Sequence, residues 1–183
     1  VERSVSQIGV RASNRAAARD ADVIGQATMV IAIPRNGAAA PAVREMPSNG
    51  FGARPRLRHD IESFVVGPSN QLAYNTAMYV SEFPGVQYNP LFIHGACGLG
   101  KTHLLQGLCR KFAEHHPPKR WMYLTGEEFT NAFLAALRSN KLDGFRRRVR
   151  DLDLLVIDDV HFLGGKKATQ EEFLHTFNAI EAM

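Results

Sequence analysis

The chain has 183 residues, 45% of them hydrophobic, and a formal net charge of +4. That length allows one domain with a real core, the two cysteines (Cys97 and Cys109) make neither a disulfide framework nor a metal motif, and the apolar run Val23–Ile33 is too short to cross a bilayer. Residues 1–60 hold nine Arg and no Lys against five acids, whereas residues 61–183 balance 13 basic with 13 acidic residues, so bulk charge gives no support for nucleic-acid binding by the globular part.

Residues 1–58 are rich in Ala, Arg, Ser and Gly and show little periodicity, which predicts a disordered, low-complexity tail. An Arg-rich start suits an organelle transit peptide, but Glu2, Asp20 and Asp22 argue against one. From residue 59 to 183 the texture is that of a folded domain. The spacing predicts a helix over Gln71–Ser81, a strand at Leu91–His94, and a helix over Lys101–Glu114 stopped by Pro117-Pro118. A second strand follows at Trp121–Leu124. Thr125-Gly126-Glu127-Glu128 has capping-box spacing and opens a helix with Phe129, Phe133 and Leu137 on one face. A short helix is expected over Lys141–Arg150, where the arginines of Arg146–Arg150 read as a solvated or intersubunit face. Leu152–Ile157 is an apolar strand, and Thr169-Gln170-Glu171-Glu172 is a second capping box, ahead of Phe173, Phe177 and Ile180. Alternating strands and helices predict an α/β fold with a doubly wound parallel sheet flanked by helices.

One segment stands out. The strand at Leu91–His94 runs into Gly95-Ala96-Cys97-Gly98-Leu99-Gly100-Lys101-Thr102, and a helix follows, which is the context in which this glycine pattern becomes a phosphate-binding loop. Glycines let consecutive amides turn inward around an anion, and the helix start adds its positive end. Lys101 can reach the β- and γ-phosphates, and the Thr102 hydroxyl can hold Mg²⁺. Gly95 through His103 are therefore the candidate phosphate site. Cys97 reads as a small residue in a tight turn.

Leu154-Leu155-Val156-Ile157-Asp158-Asp159 supplies the other half. A buried parallel strand delivers two carboxylates to the ligand edge of the sheet. Asp158 is the candidate Mg²⁺ group, and Asp159 is placed to polarise an attacking water. Together with Lys101, these residues argue for a P-loop ATPase or GTPase.

The match extends beyond generic motifs. Phe64-Val65-Val66-Gly67-Pro68-Ser69-Asn70, Tyr88-Asn89-Pro90-Leu91-Phe92-Ile93, Gly98-Leu99-Gly100-Lys101-Thr102-His103-Leu104, Glu127-Glu128-Phe129-Thr130-Asn131, Ile157–Leu163 and Thr169–Asn178 together resemble the DnaA family. Its members are bacterial chromosomal replication initiators and AAA+ ATPases. The resemblance runs from about Arg56 to Met183 and implies ATP or ADP with Mg²⁺ as the ligand. It implies that Val65, Val66 and Asn70 lie near the adenine, and that Leu134, Lys166, Lys167 and Thr169 face a channel for single-stranded DNA. It also implies ATP-dependent assembly into a filament that opens origin DNA, a cytoplasmic location, and a replicative helicase and acidic phospholipids as partners. The chain starts at Val1 and ends at Met183 within an expected helix, so a fragment is expected, without the sensor, arginine-finger and helix-turn-helix regions. Two other readings stand beside this one. One is a helicase-loader or transposase-helper ATPase; the other is a truncated initiator that binds nucleotide weakly and has no activity of its own.

Overall fold

The computed structural model describes residues 9–12, 27–32, 57–160 and 171. Three strands run in the same direction: β3 (Leu91–His94), β4 (Trp121–Thr125) and β5 (Leu154–Asp158). β4 pairs with β5 in a parallel ladder, Tyr123 opposite Val156 and Thr125 opposite Asp158. At the start of that ladder the Asp153 and Arg120 main chains are tied, and the Arg120 amide also donates to the Asp153 carboxylate at 2.8 Å. Every residue of β5 is buried, as expected for a strand covered on both faces.

The helices form two layers. α1 (Gln71–Glu82) and α2 (Lys101–His115) cover one face, while α3 (Gly126–Arg138) and α4 (Leu142–Arg150) cover the other. Side chains alternate along a strand, so neighbours in β5 divide between the layers. Leu154 and Val156 join Leu91, Ile93, Ala77, Leu104, Leu108 and Phe112 on the α1/α2 side. Leu155 and Ile157 join Met122, Phe129, Phe133, Phe145 and Val149 on the other. Each large apolar side chain buried in this way contributes about 1.5–3 kcal/mol. The same alternation sends Asp158, two residues beyond Val156, to the α2 side, where the phosphate loop's helix begins.

The capping box at Thr125 forms as the sequence predicts: its hydroxyl accepts from the Glu128 amide, and the Glu128 carboxylate accepts from the Thr125 amide. Phe129 and Phe133 are buried, but Leu137 is 50% exposed. At 100° per residue Leu137 lies about 80° around from Phe129, in the final turn, and Ala136 takes the core-facing place instead.

The larger difference lies at the N-terminus. Within the stretch whose composition predicts disorder, β1 (Gly9–Ala12) and β2 (Ala27–Ala32) are strands. Both run antiparallel to β3, and β2 also pairs with β5, giving the order β1-β3-β2-β5-β4 among the described residues. The place between the phosphate-loop strand and the acidic strand is thus filled from the chain's own beginning. The physical reason is the run Ala27-Thr28-Met29-Val30-Ile31-Ala32. It is apolar and β-branched and long enough for a central strand, yet lacks the alternation that marks a half-exposed one. Val30 is fully buried, and the Thr28 hydroxyl donates to the Ile93 carbonyl at 3.2 Å.

Candidate nucleotide site

The loop between β3 and α2 has the backbone its glycines permit. Gly98 and Gly100 sit at φ +79° and +87°, in the left-handed region closed to most side chains. Gly100 is also tightly packed, since a Cβ there would meet the Phe64 ring at 3.0 Å. Ala96, Cys97 and Gly98 are exposed, Leu99 packs against the core, and α2 begins at Lys101 with its first-turn amides facing the loop. Lys101 is 8% exposed, and its Nζ donates to the carbonyls of Gly95 at 2.7 Å and Ala96 at 2.9 Å. The ammonium is therefore held inside the loop's curve, where a phosphate oxygen could replace a carbonyl as its partner. Thr102, in the same first turn, is exposed.

Two strands away, separated from β3 by β2, Asp158 closes β5. It is only 2% exposed. Its Oδ2 accepts from the Tyr123 hydroxyl at 2.7 Å and its Oδ1 accepts from the Asp159 amide at 3.0 Å. Burial first, and the neighbouring Asp158 charge second, push the ionisation of Tyr123 far up, so its hydroxyl stays a donor. Asp159 is half-buried at φ +52°, a turn that aspartate tolerates better than most residues. One buried carboxylate and one exposed hydroxyl suit Mg²⁺, which takes few protein ligands and completes its shell with phosphate oxygens and water.

Residues 57–70 pass over the start of α2. Ile61 lies so close to Gly107 that a Cβ there would meet Ile61 Cα at 3.1 Å. Nε2 of His103 donates to the Asp60 carbonyl at 2.6 Å, while its ring stacks on His59 at 4.7 Å and meets Phe64 edge-on. The Asp60 carboxyl, bonded by the Ser63 hydroxyl and amide, ionises below its usual range. His103 thus braces this segment against the loop's helix. Asn70 is a brace as well: Oδ1 accepts from the Gly67 amide and Nδ2 donates to the Val65 carbonyl. The turn it holds presents Val65 and Val66, 83% and 42% exposed, to the solvent.

The other sequence candidates divide. Leu134 is half-buried and packs against the α3/α4 core. Lys166, Lys167 and Thr169 lie outside the described residues, as does the second capping box apart from Glu171. Sequence reasoning missed Tyr123, Gln106, Ile61 and Gly107. Parity along β4 places Tyr123 on one face with Asp158 once the register is known, but nothing in the sequence prints that register.

The profile described as the bacterial DnaA ATPase domain matches residues 56–182. The chain belongs to the DnaA family. It is 52% identical over 123 residues to the chromosomal replication initiator protein DnaA of Deinococcus deserti, covering 67% of this chain and 27% of that protein. Identity to DnaA of Thermomicrobium roseum is 45% over 144 residues, covering 79% of this chain and 30% of that protein. Among solved structures, domain III of Thermotoga maritima DnaA aligns with a TM-score of 0.61 at 38% identity, over 69% of this chain and 52% of that one. A DnaA bound to AMPPCP and single-stranded DNA aligns with a TM-score of 0.60 at 36% identity, over 66% and 37%. The α/β architecture is therefore that of a DnaA AAA+ domain, and the chain spans under a third of the length of these two curated relatives. No helix among the described residues is long and apolar enough to cross a membrane.

Proposed function

We propose that this chain is the nucleotide-binding module of a chromosomal replication initiator and takes up ATP or ADP with Mg²⁺ at the Gly95–Thr102 loop. The observation that carries the reading is the buried Lys101 ammonium, curled into a glycine-built loop at the N-terminus of α2. The AMPPCP-bound DnaA structures similar to this chain support it. Amides of the loop and of the α2 first turn would receive the phosphates, Lys101 would pair with the terminal ones, and the Val65–Val66 turn would cover the base. Thr102 and Asp158 would hold Mg²⁺, whose charge neutralises the phosphate oxygens. Asp159, at the end of the same strand, is proposed to accept a proton from an attacking water.

Turnover is assigned to the complete, assembled protein, with ATP acting mainly as an assembly signal and slow hydrolysis resetting it. Duplex origin recognition is assigned to a separate helix-turn-helix domain. Single-stranded DNA is proposed to run along Leu134, Lys166, Lys167 and Thr169, consistent with the DNA-bound relative. Self-assembly, contact with a helicase and with acidic phospholipids, and a cytoplasmic location belong to the same proposal.

Equilibrium binding of ATP to the chain, beside Lys101→Ala, tests the core of this reading. Saturable binding that the substitution weakens at least about tenfold is expected, with turnover no faster than in the variant. Equal binding by both would refute the site.

A further inference from the structure

The Tyr123 hydroxyl reaches Asp158, and on α2 the side-chain amide of Gln106 is fixed by main-chain donors. The main-chain amides of Arg58 and His59 can only donate. Both point at Oε1 of Gln106, at 2.8 and 3.2 Å. That fixes the side-chain amide of Gln106, with Nε2 turned away from the two amides. The Tyr123 hydroxyl donates to Asp158 Oδ2 at 2.7 Å. Both residues are buried, so losing this bond would leave a buried acceptor short of a partner. The sheet supplies the placement: Tyr123 pairs with Val156, and Asp158 lies two residues on, on the same face.

We propose that Tyr123 is a positioning residue for Asp158 and sets the Mg²⁺ affinity of the nucleotide site. With Oδ2 held by Tyr123 and Oδ1 by the Asp159 amide, the carboxylate has no freedom to rotate. Each oxygen keeps a second acceptor direction for a metal-bound water. The hydrogen-bonded Oδ2 also makes Asp158 a defined ligand before the nucleotide arrives, so little ordering remains to be done on binding. This inference rests on the nucleotide reading proposed above and adds Tyr123 to it.

The test measures ATP affinity calorimetrically with Mg²⁺ and with excess chelator, for the full chain, Tyr123→Phe, Asp158→Asn and the double variant, with melting curves alongside. Tyr123→Phe is expected to leave ATP affinity in chelator within about twofold. It should raise the Mg²⁺ concentration needed for half-maximal strengthening by about tenfold, the low end for second-layer partners of a metal ligand. Asp158→Asn should remove the strengthening altogether, and adding Tyr123→Phe to it should then change nothing. An unchanged Mg²⁺ requirement in Tyr123→Phe would overturn the proposal. So would an equal loss of affinity with and without Mg²⁺, which marks a packing role. Failure of the unsubstituted chain to bind ATP would instead strike at the nucleotide reading itself.

Discussion

Lys101 Nζ and the Gly95 carbonyl oxygen are 2.7 Å apart, six residues along the chain and at opposite ends of the same loop. With the second bond to Ala96, this closes the loop around the ammonium before any phosphate is present. A charge-assisted hydrogen bond is worth about 1.5–3 kcal/mol. Lys101→Met should therefore weaken ATP binding by about 10- to 150-fold. Fluorescence titration with a labelled nucleotide checks this, and a loss of under threefold would mean that the ammonium does not meet the phosphates.

Gly107 sits in the middle of α2, where glycine is unfavourable, and Ile61 presses on it to 2.9 Å from where a Cβ would lie. Gly107→Ala gains helix propensity but pushes the 57–64 segment off the helix, and overpacking of this kind costs about 1–3 kcal/mol. Denaturant unfolding should show a lower midpoint, with part of the loss recovered when Ile61→Val is added. A rise in stability on Gly107→Ala alone would contradict the packing described.

The site was more legible than the sheet, for reasons particular residues make plain. Gly95, Gly100, Lys101 and Thr102 carry their chemistry in residue type and spacing, and the Thr125 capping box is local, so both were readable. The relationship of Tyr123 to Asp158 depends on strand register, and that of Ile61 to Gly107 on a packing distance; neither leaves a periodic trace. His103 and Asn70 were found as candidates, but the structure places their side chains on neighbouring backbone, as braces. β2 was missed because its apolar run lacks the alternation that marks a half-exposed strand, and its flanks are rich in Ala, Arg and Ser.

β2 gives its own prediction. Val30 is fully buried between Leu91 and Val156, and a proline there would remove a ladder amide from a central strand. Val30→Pro should cost at least about 3 kcal/mol and lower soluble yield. Thermal melting against the parent chain checks it. An unchanged melting curve would show that the sheet does not need residues 27–32.

His116 follows α2, where Nε2 donates to the Glu82 carbonyl at 3.1 Å and the ring lies against Phe112. Burial first, and the Lys119 charge second, hold its pKa below the ordinary 6.5. The folded chain thus binds this proton less readily than the unfolded chain does. Its contribution to stability is complete above the unfolded value and is lost as pH falls through that value toward the lower folded one. Melting temperature should drop as pH falls below about 6.5 in the parent and drop less in His116→Gln. Identical pH profiles would contradict this assignment.

The most direct test of the central claim is the Mg²⁺ dependence of ATP binding, measured by calorimetry on the chain and on Asp158→Asn. The account predicts that Mg²⁺ strengthens binding in the parent and leaves the variant unaffected, while both bind ATP similarly in chelator. Equal strengthening by Mg²⁺ in the two proteins, or no ATP binding by the parent, would contradict it.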